Sequence, residues 1–421
     1  MNGRCDVAVI GAGPAGLAAA YGASGEGARV CILERENRPG GILKQCIHDG
    51  FGTLEFRERL TGPEYAYRYC RMCAERNIPV RLDSCVTGIE RRDEGFCIRV
   101  VNAAEGLVDI EAKAVVVASG CRERTSKQIF LHGTRPAGVI TAGLAQYFIN
   151  IMGYLPGKRC VILGSGDIGL IMARRLVLEG AEVAGVYEIL SEPSGLSRNI
   201  VQCLEDYNIG LHLQKTVTRV HGTRRVEAVT VCSVDENCKP VKGTEEKIPC
   251  DTLILSVGLI PENDLLKPLG LTLDPSTGGP VVDQTGMTEI PGLFSCGNAL
   301  QVSDLVDYVS ESGRAAGASA ARLAGGAGVD CIPVYPRGDI RTLVPQRIDM
   351  NKPGPAVFYL RSSKSMDRAR LSVTDGGGEL FSADLRLVRP PEIERVEIDI
   401  SRGTAETRQI SGLTFLLEEI Q

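Results

Sequence analysis

The chain opens on an apolar run of strand length, Cys5-Asp6-Val7-Ala8-Val9-Ile10. The run breaks at Gly11-Ala12-Gly13-Pro14-Ala15-Gly16 and continues as a helical stretch from Leu17 to Tyr21. A second apolar strand, Ala28 to Leu33, ends on Glu34. The same order returns later in the chain. Arg159 to Leu163 reads as strand, Gly164-Ser165-Gly166-Asp167-Ile168-Gly169 as turn, Ile171 to Glu179 as helix, and Glu182 to Tyr187 as a strand ending on Glu188. Each copy has a further apolar strand closing on small residues, Ala114 to Gly120 in the first and Thr252 to Gly258 in the second. Thr288 to Asn298 then predicts one more buried strand, and Asp304 to Ala320 a helix.

This order predicts an α/β chain with two Rossmann-like, three-layer ββα dinucleotide-binding domains, the second inserted into the first. The first domain takes residues 1–122 and 284–325, and the second takes 123–283. After Ala324-Gly325-Gly326-Ala327-Gly328 the pattern changes to short strand-like segments: Ala356–Leu360, Ala369–Val373, Leu385–Val388, Arg395–Ile400 and Leu413–Leu417. Polar turns such as Asp375-Gly376-Gly377-Gly378 separate them. Residues 330–421 therefore read as a small all-β domain, sandwich-like, with nothing catalytic in it.

Composition narrows the picture. A length of 421 residues calls for more than one core, and a net charge of −5 with no basic stripe argues against nucleic acid. No export signal precedes the first strand, and no apolar run reaches the roughly 18 residues of a membrane helix. The fifteen cysteines are scattered singly, which reads as reduced thiols in a cytoplasmic protein. The histidines at 48, 132, 212 and 221 are dispersed, so no metal site is expected.

The turns carry the candidate chemistry. Gly11 permits the tight exit from the strand, Gly13 lets backbone approach a pyrophosphate, and Gly16 lets helix and strand pack closely. N–H groups at the helix start favour the phosphates, and Glu34 is placed to accept from ribose hydroxyls. Gly164, Gly166, Asp167, Ile168, Gly169 and Glu188 repeat that logic. A carboxylate at Glu188 repels a 2′-phosphate, and Ile189 and Leu190 supply no cation, so NAD(H) is preferred over NADP(H).

On these residues the chain resembles the two-dinucleotide-binding flavoproteins, the pyridine nucleotide-disulfide oxidoreductase superfamily that includes thioredoxin reductase. The likeness covers residue 1 to about 325. It implies FAD on Gly11, Gly13, Pro14, Ala15, Gly16, Glu34 and Arg35, with Gly40 and Gly41 near the flavin and Val86 at the adenine edge. It further implies roles for Ser119 and Gly120, and for Gly297 and Asn298 over the ribitol. On the nicotinamide side it adds Gly258. The superfamily usually has Asp where this chain has Asn298. Gly40-Gly41-Ile42-Leu43-Lys44-Gln45-Cys46-Ile47-His48, Phe51-Gly52, Leu60-Thr61-Gly62-Pro63-Glu64-Tyr65, Cys296-Gly297-Asn298 and Asp304-Leu305-Val306-Asp307 resemble a narrower bacterial group. Its members are FAD-dependent subunits accompanying glycerol-3-phosphate-dehydrogenase-type flavoproteins, or amino-acid and opine dehydrogenases. Histidines common in that group are replaced here by Gln301 and Ser303. The implied partners are a dehydrogenase flavoprotein and a small cysteine-containing electron-transfer protein.

Cys46 falls in the stretch expected beside the flavin, and His48 two residues on would lower its pKa on reaching it. The redox cysteine pair of disulfide reductases is absent, since positions 41 and 51 are Gly and Phe. Cys70-Arg71-Met72-Cys73 has redox-motif spacing but lies in a helical stretch with Tyr65 and Tyr69, and reads as core. The leading function is hydride transfer between NAD(H) and FAD within a multi-subunit dehydrogenase. The alternatives are a self-contained NADH-dependent disulfide, peroxide or quinone-type reductase using Cys46, and a non-catalytic dinucleotide-binding redox sensor.

Overall fold

A computed structural model describes residues 3–323, 330–352, 354–401 and 411–420. Residues 324–328, after which the sequence pattern changes, lie outside these. The chain forms two compact units, one of residues 1–44, 49–121 and 261–421, the other of 45–48 and 122–260.

In the first unit, Arg4–Ile10 sits between Val30–Leu33 and Gly106–Val117, parallel to both. Val80–Arg81 extends this sheet beyond Val30–Leu33, and Leu293–Ser295 pairs in parallel with Val115–Val117. The long strand Gly106–Val117 also pairs antiparallel with Gly95–Asn102, which pairs with Ser84–Arg92. The apolar runs do not alternate because both faces of the central sheet are covered. Val7, Val9, Val30, Ile32, Val116 and Phe294 face one core, with Leu17, Ala18 and Tyr69 from helices. Ala8, Ile10, Leu33, Val115 and Val117 face the other, with Phe96, Ile98 and Val100 from the antiparallel strands.

The second unit repeats the layering. Its sheet runs Val139–Thr141, Thr252–Leu255, Arg159–Leu163, Glu182–Tyr187, Leu211–His212, parallel throughout. Cys160, Ile162, Val186 and Ile254 pack against helices, while Val161, Leu163, Tyr187, Leu253 and Leu255 pack against an antiparallel layer containing Val217, Val229 and Val231.

The first helix runs further than the pattern suggests. Pro14–Gly25 begins at the turn itself, with proline at its first position, where its missing N–H costs nothing. Gly62–Glu75 carries a Thr61/Glu64 capping box, and its Cys73 is buried with Tyr65 and Tyr69. In the C-terminal part, a five-stranded sheet containing Cys331–Gly338, Met366–Thr374, Glu379–Val388 and Leu413–Glu419 shares one core with Ile340–Val344, Pro355–Ser362 and Glu394–Asp399. This β-region packs within the first unit. Glu311 accepts from Tyr359 Oη at 2.6 Å and from Arg395, and Arg361 pairs with Asp304 at 3.1 Å.

The return to the first unit falls at Pro261 rather than near 284. The reason is local. Glu262 N donates to Gly120 O at 2.9 Å, Asn263 Nδ2 to Ala299 O at 2.9 Å, and Leu266 is buried with Ile10 and Val117.

Candidate functional site

Both glycine turns are built alike. Gly11 and Gly164 have φ of +101° and +92°, and a Cβ there would stand 2.5 Å from Ala118 O and 2.1 Å from Ser256 O. Only glycine fits such a turn. The residue after each turn's second glycine starts a helix, Pro14–Gly25 and Asp167–Leu178, with Gly13 and Gly166 extended at the caps and no side-chain cap bond. At the first helix no cap side chain meets the early backbone N–H groups, the arrangement that suits a phosphate, whereas at the second Gly169 N donates to Ser256 Oγ at 3.1 Å.

The acids follow the same plan. Glu34 is buried, accepting Ala12 N at 2.7 Å and Glu36 N at 2.8 Å. Glu188 is buried too, accepting Ser165 N at 2.9 Å and Leu190 N at 3.0 Å. Each carboxylate is aimed at its own glycine turn by two backbone donors.

Around the first turn, Gly40 N donates to Ala12 O at 2.7 Å, and a Cβ on Gly41 would lie 2.8 Å from Gly13 Cα. That close approach leaves a side-chain-free cradle, which fits a flat, phosphate-bearing cofactor. Gly297 packs on Ala15, where an added Cβ would stand 2.6 Å away, and Gly120 has nothing within 4 Å of its Cβ position. Ser119 Oγ donates to Glu262 O at 2.6 Å. Asn298 Oδ1 accepts Ser303 N at 3.0 Å. Arg35 is exposed and Val86 half-buried in Ser84–Arg92. In the second unit Ile168 and Gly169 continue the helix start, and Gly258 meets only Arg124, at 4.0 Å.

Cys46 belongs to the second unit, where Gln45 Nε2 donates to Gly143 O at 2.8 Å and Asn150 Nδ2 to Gln45 O at 2.8 Å. Burial pushes its thiol up to about 12, opposite to the lowering that a neighbouring His48 was expected to give. At neutral pH it is a thiol, not a nucleophilic thiolate. Cys70 and Cys73 are unbridged, with Cys73 buried and pushed up to about 12 by that burial. Among the described residues no group of three His, Cys, Asp or Glu is arranged to hold a metal. No helix among them is long and apolar enough to cross a membrane.

Two sets of contacts escaped the sequence reading. Asp307 is buried and accepts Gly52 N and Leu54 N at 3.3 Å and Glu55 N at 2.8 Å, fixing the loop at 52–55. Its position beside the N-terminus of Val306–Ala321 was the available signal. Ser165 and Ser194 gather on Glu188, and nothing in the local pattern marks the second of them.

Residues 5–322 match the family described as pyridine nucleotide-disulphide oxidoreductase. The chain belongs to that family and is an oxidoreductase of the class that uses FAD and a pyridine nucleotide. Among its relatives, an opine oxidase subunit of Agrobacterium tumefaciens (strain Ach5) is 29% identical over 322 residues, 71% of this chain and 62% of that protein. Hydrogen cyanide synthase subunit HcnB of Pseudomonas protegens is 28% identical over 290 residues, 62% of this chain and 58% of that protein. The chain thus spans about six tenths of the length of these curated relatives. Thioredoxin reductase from T. acidophilum shares the fold, with a TM-score of 0.62, 24% identity, and coverage of 76% of this chain and 98% of that structure.

Proposed function

We propose that this chain exchanges hydride between NAD(H) and FAD as the electron-transfer subunit of a multi-subunit dehydrogenase. The observation that carries it is the duplicated carboxylate geometry. Glu34 and Glu188 each accept the N–H after their first glycine and the N–H two residues beyond themselves. When bound, the two cofactors supply the redox chemistry, hydride passing between nicotinamide C4 and flavin N5. The chain's residues bind and orient. Gly11, Gly13, Gly16 and Glu34 hold the FAD pyrophosphate and ribose, and Gly40, Gly41, Gly297 and Asn298 border the rest of the cofactor. Gly164, Gly166, Gly169 and Glu188 hold the nicotinamide nucleotide. A buried carboxylate at Glu188 disfavours the 2′-phosphate, which supports NAD(H) over NADP(H).

The subunit role rests on further observations. The opine oxidase relative and HcnB are both named as subunits. Leu144, Tyr147, Ile151, Met152, Tyr154 and Leu155 are 40–61% exposed in one uncharged stretch, the kind of surface that marks a protein interface. Cys46, held as a thiol, offers little to a self-contained thiol mechanism. The partners in this reading are a dehydrogenase flavoprotein and a small cysteine-containing electron carrier.

The test is an anaerobic spectral titration of the FAD-loaded chain. Stoichiometric bleaching by NADH at concentrations where NADPH is ineffective is the expected result. A flavin that stays oxidised with both nucleotides overturns the proposal. Glu188→Ser is expected to narrow the NADH/NADPH preference by about 10-fold, or ~1.4 kcal/mol.

A further inference from the structure

The two carboxylates share their backbone donors but differ in what else they hold. A carboxylate offers about four lone-pair sites. Glu34 has two occupied, by Ala12 N and Glu36 N. Those left open suit the two hydroxyls of a ribose. Glu188 is full. Beyond Ser165 N and Leu190 N, its Oε2 accepts Ser165 Oγ at 2.6 Å and Ser194 Oγ at 2.9 Å.

Ser194 is held in that place. Its N donates to Ser165 Oγ at 2.9 Å, and the two hydroxyl oxygens are 3.1 Å apart. The residues after it are clamped to the start of the nucleotide-motif helix. Leu196 N and Asn199 Nδ2 donate to Asp167 Oδ1 at 2.9 and 2.6 Å, and a Cβ on Gly195 would stand 2.7 Å from Ser165 O. The first turn has Ala12 where the second has Ser165, so it has no matching hydroxyl.

We infer that Ser194 competes with the adenosine ribose of the pyridine nucleotide for Glu188, so that segment 194–199 sets nucleotide affinity and withdraws from the turn on binding. This deepens the proposed function and rests on the second turn being the nucleotide site. Emptying the Ser194 site relieves Oε2, the Glu188 oxygen at the turn, so that the ribose reaches it without displacing the Ser194 hydroxyl. Ser194→Thr keeps the hydroxyl and the competition.

The experiment is calorimetric titration of the oxidised, FAD-loaded chain with NAD+, which binds without turnover. Ser194→Ala is expected to tighten binding by about 10-fold, equivalent to ~1.4 kcal/mol, with Ser194→Thr near wild type. Asn199→Ala, which loosens the clamp from a separate point, is expected to tighten it as well. Unchanged or weaker binding in Ser194→Ala, with wild-type FAD content showing that the chain is folded, overturns the inference and leaves the nucleotide site standing. Binding of neither NAD+ nor NADP+ by wild type or any variant overturns both, because the site itself is then wrong.

Discussion

Glu34 and Glu188 were legible one residue at a time, because an acid closing the second strand of a glycine-turn unit has few other reasons to be there. Cys46 was not. Its sequence position suggested chemistry, whereas its reactivity depends on what packs over it, and burial holds it as a thiol. Burial does the same to Cys73, Cys160 and Cys296, each pushed from 9.0 up to about 12. A group whose folded pKa lies above its unfolded value stabilises the protein fully below the unfolded pKa and loses that contribution as pH rises through the folded one. The window here is therefore pH 9 to about 12. The expected outcome is a urea midpoint that falls between neutral pH and about pH 10.5. In the native protein at neutral pH, thiol labelling should reach exposed Cys85 and Cys238 well before Cys46. Fast, early labelling of Cys46 would revive the thiol mechanism.

At the scale of elements, the helices Pro14–Gly25 and Val306–Ala321 pack backbone to backbone. A Cβ on Gly313 would stand 2.2 Å from Ala15 O, and one on Gly317 1.9 Å from Ala19 O. This contact seats the helix whose N-terminus faces the proposed pyrophosphate position, so stability and cofactor binding are joined here. Gly317→Ala is expected to cost about 1–3 kcal/mol through overpacking, read as a lower urea midpoint, with FAD content falling alongside. A variant of wild-type stability would show that the helices separate freely. The existence of both helices was readable from their small-residue composition. Their partnership was not, because a glycine needed for close approach looks in sequence like any other glycine. Asp307 illustrates the same limit. Its three backbone donors come from Gly52, Leu54 and Glu55, far away along the chain.

At the scale of the molecule, the proposed role predicts that the isolated chain reduces an artificial dye with NADH but turns over no small metabolite at a comparable rate. Steady-state assays with a dye and with amino-acid or opine substrates check this, and strong metabolite turnover by the single chain would remove the partner from the account. The sequence by itself determined the two glycine turns, the acids that follow them, the nested order of the two units and the β-rich C-terminal region. The turns rest on contacts between near neighbours, where backbone sterics leave few choices, and the nested order and the β-rich region were legible from the repeat of the motifs and the strand period. Only the tertiary structure decided the rest. It placed the return to the first unit at Pro261, because Glu262 and Asn263 find their hydrogen-bond partners there. It packed the β-region on Glu311 and Asp304, half-buried Cys46 and so raised its thiol, and brought Ser194 onto Glu188. Those outcomes depend on which distant groups meet and what they exclude from water, and no local pattern encodes either.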